Sequence, residues 1–170
     1  MPATIDLHLH TLASDGRLTP TELIQLVVKQ GLKTVSITDH DSTEGLAEAY
    51  EAAKEFPHLR IIPGIEMSAD LPGNEVHVLG YFLDYHDVEF QATLTEFRRG
   101  RVDRAQIMVE KLDALGMHVE WEQVQRFAGD GSVGRPHIAL ALVEAGYFKE
   151  PKEAFKEYLG NDGLAYYERP

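Results

Sequence analysis

Two histidines two residues apart, His8 and His10, open the chemistry of this chain. They lie in an alternating stretch, residues 4–10, where Ile5, Leu7 and Leu9 point one way and Asp6, His8 and His10 the other. On a strand that spacing sends both imidazoles off one face, where two neutral nitrogens can grip one ion. Asp15 follows in the loop Ser14-Asp15-Gly16. His40 ends a second apolar strand, flanked by Asp39 and Asp41. Glu66 ends a third and His77 stands on the polar face of a fourth. Each residue alone has an ordinary explanation as a solvated edge, a loop carboxylate or a satisfied core histidine. Together they form a mixed imidazole and carboxylate set suited to Zn, Mn or Fe, with carboxylates able to bridge ions. Imidazoles outnumber carboxylates in the set, which disfavours Mg as the tight-binding ion. Asp6 and Asp39 are the candidates for orienting the ligating imidazoles from behind.

The elements that must position these groups alternate. Strand 4–10 is followed by a helix with Thr19 as N-cap, Pro20 in its first turn, Glu22 completing a capping box and Gly31 ending it. Strand 33–38 leads to Thr38-Asp39-His40-Asp41, and Ser42 caps a helix over roughly 43–55. Strands at 59–65 and 75–82 follow. Strand, helix, strand, helix, strand implies a parallel α/β sheet or barrel with its site at the strand ends. From 88 onward the pattern is helical: 88–114 stopping at Gly116, then 120–127, 136–145 and 151–159, ending at Gly129, Gly146 and Gly160. The expected division is 1–87 as the strand-rich part carrying the metal motifs, 88–165 as a helical insertion, and 166–170 as the start of a return to the sheet.

Composition limits the alternatives. With no cysteine there are no disulfides, thiolate metal sites or cysteine nucleophile. No apolar stretch reaches the roughly 20 residues of a membrane span, and the N-terminal residues lack a signal-peptide pattern; the expectation is a cytoplasmic protein without a membrane partner. A formal net charge of −12 argues against a broad nucleic-acid-coating surface. Bound divalent ions would reverse the sign locally, so a small phosphorylated substrate remains compatible. The one basic cluster, Arg98, Arg99, Arg101 and Arg104, reads as a solvated helix face, with a contact to a nucleotide tail as the sharper alternative.

Asp6-Leu7-His8-Leu9-His10, Ser14-Asp15-Gly16, Thr38-Asp39-His40-Asp41, Gly64-Ile65-Glu66 and Val76-His77-Val78-Leu79-Gly80 resemble the successive motifs of the PHP (polymerase and histidinol phosphatase) superfamily. Gly134-Arg135-Pro136-His137-Ile138-Ala139 resembles a motif of its metal-dependent phosphoesterase branch, which includes RNase AM and nucleotide-bisphosphate phosphatases. The resemblance implies a distorted (β/α)7 barrel with a helical insertion and up to three metal ions. By it, His8, His10 and Glu66 hold one ion, Asp15 and His40 serve a second, and Glu66 bridges to a third that also takes His77. Arg135 and His137 would hold substrate phosphate; for Arg135 the planar guanidinium fork at a helix N-terminus agrees.

The implied reaction is hydrolysis of phosphate esters of nucleotides, nucleoside 3′,5′-bisphosphates or short RNA 5′ ends by metal-activated water, with His8, His10, Asp15, His40 and Glu66 at its centre. The family pattern continues with a His-Pro and an Asp-x-His motif that this sequence does not reach. The expectation is an incomplete barrel whose site is finished by a further segment or a second chain. Two rivals stand beside this reading. An amide or lactone hydrolase also uses an early His-x-His, and a metal-binding domain without turnover fits the missing motifs.

Overall fold

The computed structural model describes residues 4–71 and 74–168; residues 169 and 170 of the expected return segment lie outside that range. Four strands form one sheet in the order β1 (Ile5–Leu9), β2 (Thr34–Ile37), β3 (Arg60–Leu71) and β4 (Asn74–Tyr81). β1 pairs with β2 and β2 with β3 in parallel, whereas β4 returns antiparallel along β3. The sheet is therefore mixed, a half-barrel. A wholly parallel sheet was expected because the strand–helix alternation holds through β3. It fails at β4 because residues 72–73 leave room for a hairpin and none for a crossover helix.

Helix α1 (Pro20–Lys29) starts as its capping box dictates: the Thr19 side chain accepts the Glu22 N–H, and Glu22 accepts that of Thr19. It ends where Gly31 takes a φ of 80°, a left-handed conformation that costs other residues energy. Its inner face, Leu23, Ile24 and Val27, packs with Val35, Ile37 and with Leu46 and Ala49 of α2 (Glu44–Ala53) into the core behind the sheet. Each such buried branched side chain contributes about 1.5–3 kcal/mol. The α2 N-cap is Thr43 rather than Ser42, although the Ser42 hydroxyl still accepts the Glu44 N–H.

The remaining elements are helical. α3 (Val88–Ala114) is capped by Asp87, whose carboxylate accepts the Phe90 N–H at 2.8 Å. Its buried positions Leu94, Arg101, Ala105, Met108 and Leu112 recur every three to seven residues, one face of a helix. α4 (Trp121–Ala128), α5 (Arg135–Glu144), α6 (Pro151–Ala154) and a π-helical turn (Phe155–Leu159) close a second core around Met108, Leu112, Val124, Ile138 and Leu142. The expected helix 151–159 is thus split, its second half wound more widely. No described helix is long and apolar enough to cross a membrane.

Candidate metal centre

Glu66 is the hub. It lies within β3, not at its end as the apolar run suggested, because the strand continues to Leu71. Its carboxylate is 96% shielded from solvent. Oε2 stands 2.7 Å from His8 Nε2, 3.0 Å from His10 Nε2 and 3.9 Å from His40 Nδ1, while Oε1 stands 2.5 Å from His77 Nδ1. Asp15 faces the set from the other side, with Oδ1 3.2 Å from His10 Nδ1 and Oδ2 3.6 Å from His40 Nε2. All six sequence candidates converge, as three overlapping triads: His8, His10 and Glu66; His10, Asp15 and His40; His40, Glu66 and His77.

Local structure explains the convergence. The register between β1 and β2 slips between Asp6 and Leu9, a bulge that re-aims side chains beside His8. The Asp6 carboxylate accepts the backbone N–H of His8 at 3.2 Å, so it acts on this bulge and not on the imidazole. Asp39 is buried and gathers the loop after β1, accepting Thr11 N–H and Oγ1–H, both at 2.7 Å, and the Ser14 hydroxyl at 2.6 Å. Ser14 Oγ in turn lies 3.3 Å from His10 Nδ1, so Asp39 reaches the ligand face through one hydroxyl. Gly16 is required here, since a Cβ would stand 2.4 Å from the His10 carbonyl oxygen. His40 pairs with Glu66 as an isolated parallel bridge that extends β2 against β3.

The electrostatics suit a cation. Four imidazoles form a row, ring centroids 5.1, 4.8 and 4.9 Å apart from His8 through His10 and His40 to His77. Burial, with the nearby Arg101 charge, pushes His40 down to about 4, so it is neutral at pH 7 and able to donate a lone pair. Burial alone would raise Asp15, but the His10 hydrogen bond and neighbouring imidazoles hold it at about 2. Glu66 is likewise lowered, burial being outweighed by the surrounding histidines. His40 Nδ1 is buried and lacks a hydrogen-bond partner, a cost that an ion beside it would remove. These donors fit divalent transition metals.

Beside His40 and His77 lies a cavity of about 150 Å³ that Arg101, Arg104 and Arg135 also line. The arginine cluster of α3 is therefore solvated only in part: Arg99 is exposed, but Arg101 is buried against Asp41 and Ser68 and Arg104 against Tyr166 and Tyr167. Arg104 Nε donates to the Tyr167 carbonyl at 2.7 Å, with its guanidinium over the Tyr166 ring. Arg135 Nη1 donates to the Leu159 carbonyl and Asn161 Oδ1, both at 3.1 Å, beside Phe155 and Tyr166. His137 differs from its expected role at the phosphate. Its Nδ1 accepts the Gly134 N–H at 3.0 Å, leaving Nε2–H to donate to the Ser14 carbonyl at 3.1 Å. Both ring nitrogens are spent on backbone, and the residue ties α5 to the Asp15 loop. Sequence reasoning passed over Asp41 and the inward face of Arg101 and Arg104; the spacing of the arginines was visible, their direction was not.

A mixed half-barrel with imidazoles and carboxylates gathered on one face defines a metal-binding α/β domain. The chain belongs to the PHP domain family, whose model matches residues 6–161. It is 39% identical over 165 residues to the 5′-3′ exoribonuclease Rnm of Escherichia coli, covering 95% of this chain and 55% of that protein. It is 36% identical over 160 residues to a 3′,5′-nucleoside bisphosphate phosphatase of Chromobacterium violaceum, covering 92% and 55%. Among solved structures it superposes on an amidohydrolase from Chromobacterium violaceum, with bound sulfate and no metal, with a TM-score of 0.90 at 34% identity, covering 98% of this chain and 59% of that one. A Bifidobacterium adolescentis protein with a provisional assignment as a metal-dependent phosphoesterase gives 0.89 at 34%, covering 98% and 58%. The chain thus spans little more than half the length of these relatives.

Proposed function

We propose that this chain carries the metal-holding part of a phosphoesterase acting on phosphate esters of nucleotides, nucleoside 3′,5′-bisphosphates or RNA 5′ ends. The carrying observation is a cavity lined both by Asp15, His40 and His77 and by Arg101, Arg104 and Arg135. Imidazoles and carboxylates suit Mn, Fe or Zn, and guanidinium groups suit a phosphate dianion. When bound, the ions supply Lewis acidity and a water acidic enough to ionise near neutral pH. The histidines and carboxylates hold them, with Glu66 shared between triads. Arg104 and Arg135 orient the phosphate and offset its charge. Buried Ile138 and Met108 at the cavity limit water access.

The names of the Rnm and bisphosphate phosphatase relatives support the substrate class. Six donor residues cannot fill three coordination spheres at four to six ligands each. A further segment of polypeptide, or a second chain, would supply the rest along the sheet edges at β1 and β4. Alone, the chain should hold fewer than three ions and turn over weakly.

The test is binding of inorganic phosphate to the Mn²⁺-loaded chain, with and without Arg135→Met. Metal-dependent phosphate binding that Arg135→Met weakens supports the reading. Phosphate binding indifferent to both metal and Arg135 overturns it.

A further inference from the structure

We propose that Arg101 is a positioning residue: reaching from α3, it clamps Asp41 and Ser68 and so sets the spacing of His40 against Glu66. The inference rests on the metal-centre reading above. Asp41 follows His40 directly and is one of two described non-glycine residues with positive φ, at 48°. That conformation costs a residue with a Cβ, least for Asp and Asn, and persists only where its surroundings impose it. Here they do. Asp41 N–H donates to the Glu66 carbonyl at 3.0 Å, and Glu66 N–H donates to the Asp39 carbonyl at 3.2 Å. The two ligand-bearing segments are therefore stitched on either side of His40.

The Asp41 side chain, wholly buried, completes the stitch. Oδ1 accepts the Ser68 N–H at 2.9 Å, two residues beyond Glu66. Oδ2 accepts Arg101 Nε at 2.5 Å, and Arg101 Nη2 donates to Ser68 Oγ at 2.5 Å. One guanidinium thus spans the end of β2 and the middle of β3, through two donors of a rigid fork that a lysine does not possess. Arg98 Nη1 adds a longer contact to the Asp41 carbonyl at 3.4 Å. On its other side the guanidinium abuts Gly134, where a Cβ would stand 3.3 Å from Nη1. A buried ion pair is weak evidence of stability, because desolvation consumes most of the attraction. What it fixes is position. It ties α3 to the backbone carrying His40 and Glu66, with the start of α5 packed beside it. Arg101 also lines the cavity, and the alternative is that it contacts the bound anion directly.

The experiment uses the chain with Co²⁺ as probe, read by affinity and by the ligand-field spectrum, which reports geometry at the ion. Arg101→Met, Asp41→Asn and the double variant are compared with the unaltered chain below their melting temperatures; asparagine tolerates the left-handed conformation, so Asp41→Asn keeps the backbone while removing the charge and one of the two acceptors. The expectation is a loss of Co²⁺ affinity of about 10–100-fold in each single variant, with an altered spectrum and a double variant no worse than either. Should Arg101→Met fail to fold, Ser68→Ala, which deletes a single hydrogen bond of the fork, should shift the spectrum in the same direction. Unchanged Co²⁺ affinity and spectrum in Arg101→Met, or in Ser68→Ala where it stands in, overturns the inference and leaves the metal centre intact. Failure of the unaltered chain to bind Co²⁺ overturns both.

Discussion

His40 Nδ1 and Glu66 Oε2 lie 3.9 Å apart, on adjacent parallel segments, and the nitrogen is buried without a hydrogen-bond partner. That gap is too long for a hydrogen bond and leaves a polar atom uncompensated, the arrangement expected of two donors sharing a cation. Glu66→Gln keeps the shape and removes the charge that faces four imidazoles. Mn²⁺ affinity, measured by titration calorimetry, should fall by more than about 100-fold, beyond the loss typical of a residue that merely orients a ligand. Near-unaltered affinity would remove Glu66 from the centre.

Ion binding should stabilise the chain, because a site assembled from four separate strands does not exist in the unfolded state. At a Mn²⁺ concentration about 100 times its dissociation constant the gain is about 2.7 kcal/mol. A thermal melt should therefore move upward with Mn²⁺ and return with a chelator. An unmoved melt would contradict the account.

The metal-free chain should lose stability as pH falls from 6.5 toward 4. His40 has a folded pKa of about 4, and burial lowers His137 too. Both bind protons more readily when unfolded, so their contribution is full above 6.5 and is lost as acid is added. His10 works in the opposite sense. Burial opposes its charge, but Asp15 and Glu66 raise it, so its contribution is present below 6.5 and fades as pH rises. Denaturant melts across this window should show the net acid slope, flattened in His40→Asn. A slope unchanged by that substitution would contradict the assignment.

The loop after β1 should depend on Asp39. Thr11→Val deletes the hydroxyl that donates to Asp39 and accepts the Ala13 N–H at 3.1 Å. The cost should be about 1–3 kcal/mol. Asp39→Ala, which strands three donors, should cost more. Urea unfolding measures both, and a Thr11→Val cost indistinguishable from zero would show that the loop is held by other contacts.

How much of this was legible from the residues depends on range. The candidate ligands were legible because His8 and His10 share a strand face and because His40 and Glu66 each follow an apolar run. Capping chemistry placed α1, and the spacing of apolar residues and glycines bounded α3. The direction of β4 was not legible because β3, read as ending at 65, runs on to Leu71, which hides how short its connection to β4 is. Nor was the burial of Arg101 and Arg104, because a charged helix face usually meets water and only distant partners, Asp41 for Arg101 and the Tyr167 carbonyl for Arg104, make burial tolerable. The two spent nitrogens of His137 follow from backbone groups 3 and 123 residues away, and only the first is local.

The most direct measurement is anomalous diffraction from crystals of the chain grown with Mn²⁺. The account predicts one or two anomalous peaks about 2.0–2.3 Å from donor atoms of the triads, with Glu66 bound to at least one of them. Strong peaks elsewhere, with none within reach of Glu66, His10 and His40, would contradict it.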